Sequence, residues 1–161
     1  MTVDAYIALG SNLDDPMRKV CDGLDALNSI PDTKLVAQSS WYGSKAIGPG
    51  EQPDYVNGVA KITTALSAQQ LLTALQAIEA KHGRERRVRW AARTLDLDIL
   101  LFGSDTVADE NLSIPHPRLM ERNFVLYPLA EISPELTLPN GLSLQSLLAR
   151  CPSEGLVKIR I

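Results

Sequence analysis

The chain has few aromatic residues, few cysteines and no long apolar run, and each shortage excludes a class of protein. Its two cysteines, Cys21 and Cys151, lack the spacing of metal ligands, so we expect reduced thiols, and the alternative is a disulfide between them. No apolar stretch approaches membrane-spanning length, and the first residues lack the basic region of a signal peptide. We therefore expect a cytoplasmic protein with no membrane partner.

The chain also has no excess of positive charge, because its formal net charge is −3. A dedicated nucleic-acid-binding domain is usually basic, so we expect no nucleic-acid partner. The motifs G-x-x-x-x-G-K-[ST] and G-x-G-x-x-G are both missing, which argues against a P-loop or Rossmann nucleotide site. The sequence also has no internal repeat, no obvious linker and no apolar stripe left over for a partner. It therefore predicts a single domain, 1–161, that is a monomer.

What the chain does have is an alternation of strand-like and helix-like segments. Strands are predicted at 3–9, 34–42, 55–66, 95–102 and 157–161, and helices after Asp15-Pro16, after Ser67, over 123–132 and from Ser143 to 149. The order β-α-β-β-α-β is typical of a ferredoxin-like α+β fold, an antiparallel sheet with helices on one face, here followed by a C-terminal helical extension. The other face of the sheet is expected to be free for a substrate.

Asp96 and Asp98 begin the most strongly predicted strand. Side chains two residues apart in a strand point to the same face, about 7 Å apart, while Leu95, Leu97, Ile99 and Leu101 are expected to point to the other face. Two carboxylates at this spacing repel each other unless cations neutralise them. Magnesium suits such oxygen ligands and commonly bridges to substrate phosphates. The pair is therefore a candidate site for two Mg²⁺ ions, and the alternative is a pair salt-bridged to nearby arginines.

A basic segment lies just before this pair. It carries one acidic residue, Glu85, and five arginines, which are Arg84, Arg86, Arg87, Arg89 and Arg93. The planar guanidinium group suits phosphate oxygens, so a cluster of them suits a polyphosphate. The alternatives are a solvated basic loop or an RNA-contact patch. Acidic metal ligands beside a basic loop match both charges of a magnesium–nucleotide complex, and the combination favours a phosphoryl-transfer site.

The rare aromatic residues fall at informative positions. Trp90 lies inside the arginine segment, where it is badly placed for a core and well placed to cover a flat ring. Tyr55 and Asn57 are predicted on one face of a strand, and Phe124 follows Arg122 closely. Aromatic rings with an amide that donates and accepts suit a heteroaromatic substrate, although Tyr55 and Phe124 are equally compatible with an ordinary core.

His116 lies between two prolines in S-I-P-H-P-R, a rigid turn that fixes its direction. It is a candidate phosphate ligand or a structural cap of the backbone. The segment from Gly83 to Ala92 combines a glycine with many charges and has no apolar face. We therefore expect it to close over the site after ATP binds and to carry Trp90 inward.

The segment R-W-A-A-R-T-L-D-L-D-I-L resembles the signature of the 6-hydroxymethyl-7,8-dihydropterin pyrophosphokinase family of the folate pathway. Three further segments match the family in the same order: A-Y-I-A-L-G-S-N-L, Q-P-D-Y-V-N and I-P-H-P-R-L-M-E-R-N-F-V-L-Y-P-L. The resemblance covers about residues 3 to 150. It implies a ferredoxin-like fold, ATP as co-substrate, and transfer of diphosphate from ATP to the pterin hydroxymethyl group with release of AMP.

The resemblance also implies a role for individual residues. Asp96 and Asp98 would bind two magnesium ions and, with Arg84 and Arg93, form the catalytic set. The ATP-binding residues would be Gln76, Glu79, Arg84, Arg86, Arg93, Ile99, Ser113, His116 and Arg122. The pterin-binding residues would be Ser44, Lys45, Ile47, Tyr55, Asn57, Trp90 and Phe124. We expect in-line attack of the pterin hydroxyl on the β-phosphorus, helped by positioning and electrostatics, with no general base assigned.

The chain departs from the family pattern at three places. Ala91-Ala92 stands where Gly-Pro is frequent, Ser44-Lys45 where Thr-Pro is common, and Asn111 where some members carry a basic residue. Two other functions stay open at this point. A ferredoxin-like RNA-binding module would need the arginines and not the aspartates. Another metal-dependent transferase would release ADP, or a different product, in place of AMP.

Overall fold

The computed structural model describes residues 2–11, 16–44, 55–81, 95–116, 122–153 and 156–159. Its strands are β1 (Val3–Ser11), β2 (Thr33–Gln38), β3 (Tyr42–Ser44), β4 (Tyr55–Thr64), β5 (Asp96–Phe102), β6 (Val107–Ala108), β7 (Ser113–Ile114) and β8 (Leu156–Lys158). Its helices are α1 (Pro16–Leu27), α2 (Ala68–Lys81), α3 (Asn123–Ile132) and α4 (Leu144–Arg150). None of the helices in these ranges is long and apolar enough to cross a membrane.

Six of the strands form one antiparallel sheet in the order β5-β1-β4-β3-β8, and β2 also pairs with β4. Strands β6 and β7 form a separate hairpin. The prediction of a mixed α and β fold with an antiparallel sheet is therefore confirmed.

The predicted strand 34–42 is wrong in one respect, because it is divided into β2 and β3. The link between them leaves the ladder at Ser39, whose Oγ accepts from Val59 N at 2.9 Å and donates to Ser40 O at 2.7 Å. Trp41 follows and lies flat against Gly58, where a Cβ atom would come within 2.5 Å of the indole ring. A side-chain bond and a ring over a glycine thus interrupt the strand.

The helix ends follow their capping residues. Ser67 Oγ accepts from Gln70 N at 3.1 Å, and Gln70 Oε1 accepts from Ser67 N at 2.8 Å, a reciprocal capping box before α2. Ser143 Oγ accepts from Ser146 N in the same way before α4. Helix α3 has the predicted bounds, Asn123–Ile132. The predictions of these caps and of α3 are confirmed.

Both faces of the sheet carry helices. Ala5, Ile7 and Leu9 of β1 join the core with α1 and α2, whereas Tyr6 and the partly buried Ala8 join a second core with α3 and α4. The expectation that one face is free is therefore wrong where α3 and α4 lie. The physical reason is that α3 has an apolar side of its own, formed by Val125, Leu126 and Leu129, which is buried against this face.

A β-bulge in β5 determines which side chains face which core. Tyr6 pairs with Leu101 and Ile7 with Ile99, so Leu100 is the extra residue. Leu100 and Leu101 both enter the second core, while Leu95, Leu97 and Ile99 enter the first. The expectation that Leu101 shares the face of Leu97 and Ile99 is therefore wrong, because the extra residue shifts the alternation. Since side chains alternate along a strand, Asp96 and Asp98 project from the face opposite Leu97 and Ile99.

Candidate active site

The side chains of Asp96 and Asp98 project from one face at the start of β5. Leu97 and Ile99 between and after them are buried, Asp96 is half-buried and Asp98 is exposed. Their neighbours on β1 are small, since Gly10 pairs with Asp96 and Ala8 with Asp98. The prediction that the two carboxylates share one face is confirmed, and the small neighbours leave space above them.

Asn57 reaches the same place from the other side of β1. Gly10 pairs with Asp96 on one side and with Asn57 on the other, so the three residues form a row across the sheet. The Asn57 side chain lies directly over the glycine, because a Cβ atom built on Gly10 would be 2.9 Å from Asn57 Oδ1. Asn57 is 7% exposed. Gly10 therefore provides the space that brings a buried amide next to the carboxylate pair.

The carboxylate pair fits a magnesium site that is completed by a substrate. Carboxylate oxygens are ligands that magnesium prefers, and it commonly takes only one or two of them together with phosphates and water. Among the described residues, no group of three or more His, Cys, Asp or Glu side chains is arranged to hold a metal. The donor set, a half-buried and an exposed carboxylate on one face, suits a magnesium ion that also takes phosphate oxygens.

Glu79 of α2 contacts the main chain between the two aspartates. Its Oε2 accepts from Leu97 N at 2.9 Å, and the side chain is 5% exposed. The bond connects α2 to the start of β5, which is an edge strand of the described sheet. Sequence reasoning placed Glu79 near the nucleotide but missed this contact, because the pairing of a helix with a strand edge leaves no local signal.

Most of the predicted ATP-binding residues of the described chain lie on β5 and on its neighbours α2 and β7, whereas Arg122 lies at the start of α3. Gln76 is exposed on α2, one turn before Glu79, and Ser113 is exposed on β7. His116 follows, and its main-chain N donates to Leu100 O at 3.1 Å. The Ile99 side chain is 4% exposed within the first core, so this residue can reach a nucleotide only through its main chain.

The predicted pterin-binding residues approach from β3, β4 and α3. Tyr55 and Asn57 lie on one face of β4, as predicted, and Ser44 pairs with Tyr55. Phe124 is half-buried beside the second core at the start of α3. The Arg122 guanidinium carbon lies 5.4 Å from the centre of the Phe124 ring, so a predicted ATP ligand and a predicted pterin ligand are already in contact.

Several predicted site residues lie outside the described part of the chain. They are Arg84, Arg86, Arg93, Lys45, Ile47 and Trp90. Gly10 is a residue of the site that sequence reasoning missed. A glycine inside an otherwise apolar strand often marks a close approach, and that signal was present in A-Y-I-A-L-G-S.

Comparison with known proteins agrees with this arrangement. The profile of the 7,8-dihydro-6-hydroxymethylpterin-pyrophosphokinase family matches residues 6–134. The Pseudomonas aeruginosa 2-amino-4-hydroxy-6-hydroxymethyldihydropteridine pyrophosphokinase is 51% identical over 154 residues, covering 96% of this chain and 95% of the relative. The Haemophilus influenzae protein of the same name is 47% identical over 157 residues, covering 98% of each.

A solved structure of Plasmodium falciparum HPPK-DHPS with pterin and p-hydroxybenzoate shares the fold, with a TM-score of 0.77 and 13% identity. The match covers 100% of this chain and 47% of that one, so the chain spans about half the length of that protein. At this identity the likeness concerns the fold alone.

The fold, the carboxylate pair and the two bacterial relatives define an enzyme of the kinase class of transferases. The chain belongs to the 7,8-dihydro-6-hydroxymethylpterin-pyrophosphokinase family. The predicted family is thereby confirmed, and so is the predicted activity, transfer of diphosphate from ATP to the hydroxymethyl pterin in folate synthesis.

Proposed function

We propose that the reaction takes place over the start of β5, on the face that carries Asp96, Asp98 and Asn57. The observation that carries the proposal is the row formed by Asp96, Gly10 and Asn57, which sets an amide beside two carboxylates. An amide suits the ring edge of a pterin, and carboxylates suit the metal that accompanies a polyphosphate. The two substrates would thus meet above β1, with the Asn57 amide on one side and the carboxylates of Asp96 and Asp98 on the other.

Asp96 and Asp98 would hold two Mg²⁺ ions, and Asp98, the exposed carboxylate, has the freer access to a phosphate-bound ion. When bound, magnesium supplies positive charge that polarises the phosphoryl oxygens and offsets the charge of the leaving group. Two ions would suit the large negative charge that a triphosphate and two carboxylates bring together, and the arginines would offset the rest.

The pterin would bind between Asn57, Tyr55 and Phe124, with Trp90 over its other side and with main-chain groups of Ser44, Lys45 and Ile47 at its edge. Support comes from the described part of this set, since Tyr55 and Asn57 share a face of β4 and Ser44 pairs with Tyr55. The contact between Arg122 and Phe124 would change when a pterin stacks on the ring.

ATP would lie along the outer edge of β5. Gln76, Ser113, His116 and the main chain of Ile99 would hold the nucleoside, and Glu79 would fix the strand through Leu97 N. Arg84, Arg86, Arg93 and Arg122 would bind the polyphosphate, with Arg84 and Arg93 acting on the group that is transferred.

In the reaction, the pterin hydroxymethyl oxygen forms a bond to the β-phosphorus of ATP. The bond between that phosphorus and the oxygen bridging to the α-phosphorus breaks, AMP leaves with the electron pair, and the hydroxyl proton passes to solvent. The aspartates, arginines and Asn57 orient the two substrates and offset charge, so catalysis rests on positioning and electrostatics with no general base assigned.

For the whole chain we propose a ferredoxin-like domain spanning 1–161, in which the segment after β7 is a C-terminal extension. The support is the order of β1, α1, β2, β4, α2 and β5, with β2 paired to β4, and the separate layer of α3 and α4. The charge and the composition support a cytoplasmic monomer that binds small molecules and no nucleic acid or membrane.

The assay that tests the proposal uses the chain with ATP, Mg²⁺ and 6-hydroxymethyl-7,8-dihydropterin. We expect AMP and the pterin diphosphate in equal amounts, and no turnover when EDTA is added. Release of ADP in place of AMP, or turnover that persists in EDTA, would overturn the proposed mechanism.

A further inference from the structure

Glu131, in the last turn of α3, binds a segment that lies about ninety residues earlier in the chain. Its Oε2 accepts from Ser40 N and from Ser40 Oγ, both at 2.8 Å. Its Oε1 accepts from the Tyr42 hydroxyl at 2.6 Å, and Lys158 Nζ lies 3.9 Å from the same oxygen. One carboxylate therefore connects α3 with the β2–β3 link, with β3 and with β8.

Glu131 is ionised when it makes these contacts. Burial alone would raise its pKa, but the hydrogen bonds from Tyr42 and Ser40 and the ammonium group of Lys158 outweigh burial and lower the pKa. Burial and the bond to Glu131 raise the pKa of Tyr42, so its hydroxyl stays protonated and donates. Hydrogen bonds to an ionised acceptor are stronger than those between neutral groups.

The strand that Glu131 holds leads directly into the pterin side of the site. Tyr42 pairs with Asn57, and Ser44 pairs with Tyr55, so β3 sets the outer border of the residues assigned to the pterin. Strand β3 has only three residues, and its outer neighbour β8 also has three. So short a ladder fixes its register weakly, and the bonds to Glu131 supply what the ladder lacks.

The helix that carries Glu131 also carries Phe124, close to its other end. A carboxylate at the end of α3 that binds β3 therefore sets the distance between the two walls of the proposed pterin site. Apart from Arg122 at the start of α3, the ATP side lies elsewhere, along β5, α2 and β7, and none of the four contacts of Glu131 given above involves Arg122 or those elements.

We infer that Glu131 is a positioning residue for the pterin, which acts through Ser40 and Tyr42 to hold β3 against β4 at a fixed distance from α3. The inference rests on the proposed site. Loss of the carboxylate is expected to affect the binding of the two substrates differently, because it disturbs the pterin walls and leaves the nucleotide edge of β5 in place.

The test is the Glu131→Gln variant, which keeps the shape and removes the charge, compared with Glu135→Gln. Glu135 is exposed just beyond α3, and Glu135→Gln makes the same change in net charge. We expect the KM for the pterin to rise roughly fourfold in Glu131→Gln, the equivalent of about 0.8 kcal/mol, with the KM for ATP within about twofold of wild type. Glu135→Gln should match wild type in both constants.

Tyr42→Phe is the second variant, because it removes one hydrogen bond and keeps those of Ser40. We expect a smaller rise in the pterin KM, roughly threefold, with an unchanged KM for ATP. An unchanged pterin KM in both variants, or an equal rise for both substrates, would overturn the inference. A wild-type chain that forms no pterin diphosphate would instead show that the proposed function is wrong.

Discussion

Gly10 illustrates how a residue without a side chain determines a binding site. Its strand position requires no unusual backbone angle, but a Cβ atom there would meet Asn57 Oδ1 at 2.9 Å, closer than real Cβ contacts. The absence of a Cβ atom at Gly10 therefore leaves room for the Asn57 amide. Sequence reasoning found Asn57, Asp96 and Asp98 because their chemistry is visible in the sequence, and it missed Gly10 because its contribution is empty space.

We predict that Gly10→Ala displaces the Asn57 amide. The KM for the pterin should rise roughly tenfold, and the free energy of unfolding should fall by about 1 kcal/mol through overpacking. Steady-state kinetics and urea unfolding measure the two effects. Gly43→Ala is the matched control, since a Cβ atom there meets its nearest neighbours at an ordinary 3.8 Å. A Gly10→Ala enzyme with the wild-type pterin KM would contradict this account of the glycine.

Glu79 has a structural role that its position in the family pattern does not reveal. We predict that Glu79→Ala leaves the buried Leu97 N–H without its acceptor, at a cost of about 1–3 kcal/mol in the free energy of unfolding, and lowers kcat because β5 carries Asp96 and Asp98. Glu79→Gln retains an acceptor oxygen and should recover most of the stability. Urea unfolding of both variants decides the matter, and equal stability of Glu79→Ala and wild type would refute the prediction.

At the scale of elements, the sequence predicts those whose signals are local. The cap residue Ser67 and the helix-like segment 123–132 identify α2 and α3, and both are confirmed. The division of 34–42 into β2 and β3 depends on contacts with Val59 and Gly58, which are distant in sequence. The bulge at Leu100 likewise depends on the partner strand, so no pattern within β5 indicates it.

The layer formed by α3 and α4 shows a second limit of sequence reasoning. Hydrophobic periodicity indicates that α3 has one apolar side, but it does not indicate which face of the sheet receives that side. Tyr6, Val59 and Leu101 form the receiving surface. In the described chain, part of the face that was expected to be free is therefore covered, while Asp98 on the same face is exposed.

The contacts of Glu131 make the attachment of α3 to β3 dependent on pH. The pKa of Glu131 is lowered below its ordinary value of 4.5, so the carboxylate stabilises the fold above that value and the contribution is lost as pH falls through the lowered pKa. The side chain is 28% exposed, and we expect less than about 1 kcal/mol. Wild type should exceed Glu131→Gln in the free energy of unfolding at pH 7, and the difference should disappear as the pH falls through the lowered pKa. A difference that grows in acid would contradict this sign.

The segment from Gly83 to Ala92 lies outside the described residues, and its closure over the substrates stays a prediction. Trp41 is 7% exposed and packs against Gly58, so its emission should be insensitive to substrates. We predict that tryptophan fluorescence changes when the ATP analogue and the pterin are added, and that Trp90→Phe abolishes the change. A Trp90→Phe variant that keeps the full response would assign the signal to Trp41 and refute the prediction.

At the scale of the whole molecule, the fold persists where sequence identity is low. A structure that is 13% identical has a TM-score of 0.77, which indicates that the arrangement of apolar and polar faces, and not residue identity, specifies the sheet and its helices. The family match also decides against the RNA-binding alternative, in agreement with the net charge of −3.

The central claim is that Asp96 and Asp98 form the metal site for diphosphate transfer, and turnover of Asp98→Asn tests it most directly. The substitution keeps the shape and removes the charge, so kcat for AMP release should fall about 10³-fold while the free energy of unfolding stays near that of wild type. Asp105→Asn, an exposed aspartate just after β5, serves as the control and should turn over normally. An Asp98→Asn enzyme with wild-type turnover would contradict the account.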